Sequence, residues 1–225
     1  MQTMMIGHRP CTVELCPDPE YLLIQPVDEH DAGLLPAELA LLRSAGRSFT
    51  LVAVPIADWN AELSPWPAAP VFGKTPFGGG AGETLRFLET EILPRFPHEK
   101  AVLGGYSLAA LFALWAGYRT DAFHSIAAAS PSVWFDGWED FAQSHPMLAR
   151  RVYLSLGDRE DRSKNPRLRA VSAAIRSQDA LLESAGLAHI LEWNPGNHFV
   201  DSERRTARAF LWCMQSGAVC SSPSP

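Results

Sequence analysis

Apolar residues in this chain fall into short continuous runs, and these alternate with longer stretches in which apolar positions recur every three or four residues. The runs Tyr21–Gln25, Phe49–Val54, Ala101–Leu103, Ser125–Ala129, Arg151–Leu156 and His189–Trp193 read as strands. Thr12–Leu15 reads as an edge strand ahead of them. Runs this apolar belong to a sheet covered on both faces.

The helical stretches carry their own start and stop signals. Pro36 in a first turn, Leu35, Leu39 and Leu42 on one face, and Gly46 as a stop mark one helix. Leu85, Leu88 and Ile92 mark a second, ending near Pro94 or Pro97. Leu108–Gly117 is apolar on nearly every side, as suits a helix packed on a buried sheet. Asn165 as cap, Pro166 in the first turn, Leu168, Val171, Ile175 and Leu182 on one face, and Gly186 as terminator define a long amphipathic helix. A last helix spans about Ser202 to Met214. The alternation predicts an α/β fold with a mostly parallel central sheet and helices on both faces.

Two segments lack a regular period. The stretch 57–82, rich in Pro, Gly and Trp, reads as a long ordered loop, and loops of that length in compact domains are usually functional. The tail 216–225 is rich in Ser and Pro and reads as disordered, which leaves 1–215 as one domain.

The junction between the Ala101 strand and the Leu108 helix carries the chemistry. Gly104-Gly105-Tyr106-Ser107-Leu108-Ala109 is the layout of a nucleophile elbow, in which a serine on a sharp strand-to-helix turn needs small residues two before and two after it. Gly105 and Ala109 supply that room, although the more usual pattern has glycine at the second position. A serine hydroxyl is a weak nucleophile, so it needs a histidine base and an acid to orient the base. In this setting the chain order is serine, acid, histidine. Downstream, the Arg151 strand opens into Gly157-Asp158-Arg159-Glu160-Asp161, a loop with three carboxylates. The His189 strand ends in Asn194-Pro195-Gly196-Asn197-His198-Phe199. Both candidates therefore lie just past the carboxyl ends of strands, where open parallel sheets build their sites.

Gly-Tyr-Ser-Leu-Ala at 105–109, Ser-Pro-Ser-Val-Trp at 130–134, Ser-Leu-Gly-Asp at 155–158 and Gly-Asn-His-Phe at 196–199 resemble an esterase branch of the α/β-hydrolase superfamily, which includes the siderophore esterases and the S-formylglutathione hydrolases. The likeness runs from about Tyr21 to Met214. It implies the α/β-hydrolase fold, Ser107 as nucleophile and His198 as general base. It also implies Glu160 as the acid, with Asp158 next in line and Asp161 beside them, and some members of the branch work with a serine–histidine pair alone. The lid of this fold is commonly inserted where 133–146 stands here, and so short an insertion implies a minimal lid and an open or shallow site.

Acyl transfer also needs donors for the oxyanion. The N–H of Leu108 is one. The second comes from the turn after an earlier strand, here Tyr21–Gln25 followed by Pro26-Val27-Asp28, and since proline has no N–H the first possible donor is Val27. Trp59, Trp66 and Trp134 fall on loops at the same sheet edge, and Trp59 and Trp134 are the candidates for lining a substrate pocket. Trp115 and Trp212 read as core.

Composition narrows the remaining possibilities. A formal net charge of −6 argues against nucleic-acid binding through a basic surface. No stretch approaches the ~20 apolar residues of a membrane span, and Met1–Pro10 lacks the pattern of a secretory signal, so a cytoplasmic location is expected. Cys11, Cys16, Cys213 and Cys220 show no metal spacing and read as reduced thiols. Asp28-Glu29-His30-Asp31 reads as a solvated loop, and no metal or cofactor is expected. The reading as a whole is a serine hydrolase of small-molecule carboxylic esters acting through an acyl-enzyme on Ser107. Its alternatives are an acyltransferase with the same intermediate, or a non-catalytic hydrolase-fold binding protein.

Overall fold

A computed structural model describes residues 1–44, 46–71 and 73–215, so the expected disordered tail and Cys220 lie outside the described residues. The chain opens with a hairpin of which sequence reading found only the second strand: β1 (Gln2–Ile6) pairs antiparallel with β2 (Arg9–Glu14), which takes in most of the edge strand expected at Thr12–Leu15. Its signal was Gly7, which turns at φ +54°, between two runs of alternating burial. Then follow β3 (Tyr21–Val27), α1 (Glu29–Arg43), β4 (Phe49–Pro55) and α2 (Trp59–Leu63). A small hairpin of β5 (Pro67–Ala68) and β6 (Phe77–Gly78) leads to α3 (Ala81–Phe87), which runs on through wider and tighter turns to Arg95. The remaining elements are β7 (Lys100–Tyr106), α4 (Leu108–Arg119), β8 (Ser125–Ala129), α5 (Trp138–Ser144), β9 (Arg151–Gly157), α6 (Pro166–Arg169), α7 (Val171–Ser184), β10 (Ala188–Asn194) and α8 (Ser202–Cys213).

Four expectations need correction. Residues 28–31 are not a solvated loop: the Asp28 side chain caps α1 by accepting from the Asp31 N–H at 2.8 Å, and Glu29 and Asp31 complement the helix dipole. Pro36 therefore lies inside the helix rather than in its first turn. The stretch 57–82 holds α2 and the β5–β6 hairpin, with α2 capped by Asp58. The amphipathic helix after Asn165 breaks at Ala170 into α6 and α7.

The main sheet has eight strands in the order β1-β2-β4-β3-β7-β8-β9-β10, parallel from β4 to β10. One apolar layer joins its face to α3, α4, α5 and α7, and the other joins the opposite face to α1 and α8. Alternation along β3 divides its side chains between them: Leu22 and Ile24 enter the first layer, Tyr21, Leu23 and Val27 the second. The chain runs outward from β3 to β4 on one side and returns to β7 on the other, so the strand order reverses between β3 and β7. In open α/β sheets that reversal leaves a crevice at the carboxyl ends of the strands. Among the described residues no helix is long and apolar enough to cross a membrane. Cys11, Cys16 and Cys213 are unbridged.

One polar pair sits inside the second layer. Gln25 of β3 and Glu38 of α1 are both buried, and Gln25 Nε2 donates to Glu38 Oε2 at 3.2 Å. The other oxygen of each, Gln25 Oε1 and Glu38 Oε1, has no partner. A proton on Glu38 would supply the donor that this pair of unpartnered oxygens lacks. Burial, opposed by the Gln25 bond, pushes the Glu38 carboxyl from 4.5 up to about 8. An acid with its folded pKa raised binds an extra proton on folding, so its stabilising effect is complete below pH 4.5 and is lost as pH rises to about 8. Glu38→Gln is expected to remove this slope, leaving the variant more stable than the parent at pH 9 by on the order of 1–3 kcal/mol in urea unfolding.

Candidate active site

Ser107 lies between β7 and α4 with φ 57° and ψ −117°, a region that costs a non-glycine residue on the order of 1–3 kcal/mol. Neighbouring backbone holds it there. Its N–H donates to Ala129 O at 3.1 Å, and its carbonyl accepts from the N–H groups of Leu111 and Ser132, each at 3.1 Å. A Cβ on Gly105 would lie 2.7 Å from that of Ala109, so the strand passes the helix only because Gly105 has none.

The structure brings Ser107, His198 and Glu160 into one hydrogen-bonded series. His198 Nε2 lies 3.0 Å from Ser107 Oγ, and His198 Nδ1 lies 2.7 Å from Glu160 Oε2. Glu160 Oε1 accepts from Ser130 Oγ at 2.6 Å, the Gly157 N–H at 2.7 Å and Arg205 Nη1 at 3.0 Å. Burial alone would raise the Glu160 pKa, but the bonds and charge of His198, then Ser130 and Gly157, outweigh it and hold the carboxyl below its ordinary value. The other two carboxylates of the loop do not meet the imidazole. Asp158 accepts from the Gly196 N–H at 2.8 Å and so braces the turn that carries His198. Asp161 is absent from the cavity wall.

Sequence reading missed the residues around this series. Tyr106 donates its hydroxyl to the His198 carbonyl at 2.8 Å, and burial pushes that phenol to about 12, so it stays a donor. Ser132 Oγ lies 3.3 Å from Ser107 Oγ. Arg205 is 2% exposed. It shares the inward face of α8 with Ala209 and Phe210, and a cation within an apolar stripe was the available signal.

Leu108 opens α4 and lines the cavity beside Ser107. Val27 does not line it. The Val27 carbonyl accepts from the Ile56 N–H at 2.9 Å, just beyond β4. In an extended strand the N–H and C=O of one residue point to the same side, so the Val27 N–H also faces β4 and turns away from Ser107.

The cavity over Ser107 has a volume of about 920 Å³. Its apolar wall includes Trp59, Phe77, Trp134, Leu168 and Val171, drawn from three separate segments. The short insertion at 133–146 is therefore only part of the enclosure. Trp66 stays outside: its Nε1–H donates to Asp136 O at 2.8 Å and its ring packs on Phe135 and Phe141. Phe199 stands at the rim, 86% exposed. Trp115 is buried, while Trp212 is half-buried beneath the Arg151 guanidinium.

The tightest point of the site is Gly157, where a Cβ would lie 2.5 Å from Gly196 O and 2.9 Å from Glu160 Oε1. Gly157→Ala should force the acidic loop and the histidine turn apart, and lower the urea unfolding free energy by about 1–3 kcal/mol. Gly33→Ala is the control, since nothing lies within 4 Å of its position in α1; it should leave stability unchanged or raise it by up to about 1 kcal/mol.

No family model matches the chain, and no curated protein matches it by sequence. Solved structures do match. An IroE-like serine hydrolase from Shewanella oneidensis superposes with TM-score 0.74 at 17% identity, covering 91% of this chain and 75% of that one. The siderophore hydrolase EstA from Aspergillus nidulans gives TM-score 0.66 at 20% identity over 87% of this chain and 82% of that one. A Bacillus cereus carboxylesterase gives 0.60 at 16% identity over 92% and 94%. With its parallel sheet, its serine at the turn into α4 and these likenesses, the chain has the α/β-hydrolase fold.

Proposed function

We propose that this chain is a serine hydrolase that cleaves carboxylic esters through an acyl-enzyme on Ser107. The observation that carries the reading is the continuous series Glu160–His198–Ser107, with spacings of 2.7 and 3.0 Å, at the floor of a cavity large enough for a small molecule. The structures that share the fold are named as a serine hydrolase, a siderophore hydrolase and a carboxylesterase, which supports the ester chemistry.

His198 Nε2 takes the Ser107 proton as Oγ forms a bond to the ester carbonyl carbon, and the carbonyl π pair moves onto oxygen. Glu160 holds the imidazole through Nδ1 and stabilises the imidazolium. Collapse of the intermediate expels the alkoxide, which leaves with the proton from Nε2. Water then repeats the sequence on the acyl-enzyme and returns Ser107. The Leu108 N–H at the start of α4 is one oxyanion donor, helped by the helix dipole. The second is assigned to Asp28 rather than Val27. Asp28 is extended, at φ −93° and ψ −170°, so its N–H turns to the side opposite that of Val27, which is the β7 side.

A fluorophosphonate probe should label Ser107 and no other serine, with the adduct located by mass spectrometry. Ser107→Ala and His198→Ala should each lower kcat for a short p-nitrophenyl ester by about 10³-fold or more. A Ser107→Ala variant as active as the parent would overturn the assignment, and an unlabelled parent would favour a binding role.

A further inference from the structure

The mechanism above makes no use of Arg205, although its guanidinium carries a full charge at 2% exposure. Burying a cation costs several kcal/mol or more unless partners repay it, and here the partners are unusually spread. Nη1 reaches Tyr106 OH at the end of β7 (3.0 Å), Ser130 Oγ past β8 (3.3 Å) and Glu160 Oε1 past β9 (3.0 Å). Nη2 donates to the carbonyls of Pro195 and Asn197 past β10, each at 3.1 Å. A single side chain from α8 thus ties the ends of four neighbouring strands. A lysine could not, because a single ammonium lacks the planar fork that meets acceptors in several directions.

The charge has a second effect. In the resting site Glu160⁻ and Arg205⁺ cancel, and a protonated His198 would leave a net positive cluster of which only the imidazole is partly exposed. Without Arg205 the carboxylate would stand alone beside the imidazole and attract a proton onto it.

Granted the serine hydrolase reading, we propose that Arg205 is a positioning residue that both fixes the His198 turn against Glu160 and extends to lower pH the range in which His198 stays a free base. The other charged and titratable groups around His198 act from fixed places. Asp31 of α1 faces it as an acid that burial and then Asp28 raise to about 6, the Tyr106 hydroxyl is bonded to its carbonyl, and Arg159 and Arg162 line the same cavity. All of these remain when Arg205 is changed.

The test is an NMR titration of the His198 imidazole in the Ser107→Ala background, with Arg205→Gln and Arg205→Lys added separately. Arg205→Gln should raise the midpoint by about half a pH unit or more, and Arg205→Lys, which keeps the charge, should return it close to the parent value. With Ser107 restored, the acid limb of kcat/KM should move in the same direction, and kcat should fall about tenfold or more in both variants as the clamp on the turn is lost. An unmoved midpoint in Arg205→Gln, or equal movement in both variants, overturns the proposal. If Arg205→Gln does not fold, Glu160→Gln is compared with Glu160→Gln/Arg205→Met, which has neither buried charge. The double variant should then titrate at the higher pH, and equal midpoints count against Arg205. The titration needs no turnover, so a negative result leaves the hydrolase reading standing, and only failure to label Ser107 removes that.

Discussion

The strained turn at Ser107 is the constraint on which the site depends. A φ of 57° aims the side chain out of the sheet and starts α4 at once, and it persists because backbone bonds from β8, α4 and the segment at Ser132 hold it. The missing Cβ of Gly105 lets helix and strand approach closely enough for those bonds to form. Loosening of this contact would let the residue relax, and its hydroxyl would leave the 3.0 Å reach of His198.

The remainder of the site is an exercise in satisfying buried charge. Each oxygen of Glu160 has a distinct duty: Oε2 faces the imidazole, and Oε1 is saturated by a hydroxyl, a backbone N–H and a guanidinium. Saturation of one oxygen fixes the direction of the other. The contrast with Glu38 is instructive, since that acid is more deeply buried and meets only an amide, and burial raises its carboxyl. Two glutamates in one small fold are therefore shifted in opposite directions, by burial in one and by the donors and charge around the carboxylate in the other.

Much of the architecture was legible because period and chemistry agreed. Strands of continuous apolar residues, glycine stops and the serine turn all point to one topology. The mismatches have particular causes. The cap at Asp28 was hidden by its reading as part of an acidic cluster, so α1 seemed to start at Pro36. The first strand of the opening hairpin lies in residues that had been weighed only as a leader, whereas its partner overlaps the edge strand read at Thr12–Leu15. In the site, Ser107 and His198 follow from strand-end placement, whereas Glu160 needed the resemblance because three carboxylates share its loop. Val27 shows the limit of counting along a chain: the direction of an N–H depends on which neighbour a strand residue faces, and spacing alone carries no sign of it. The role of Arg205 was hidden for a related reason: a cation in the apolar stripe of α8 marked the residue, but its partners come from four strand ends that meet only in three dimensions.

The position of Arg205 along the polypeptide sets the order of assembly during synthesis. Residue 107 leaves the ribosome early, followed by 160 and 198, but the guanidinium that joins their supports lies on α8, after all the strands have been made. Until α8 docks, Glu160 has no cation and the 195–198 turn no clamp. Growing chains therefore carry the Ser107 turn before the supports of Glu160 and His198 are complete, and the hydrogen-bonded series closes only when α8 has been made.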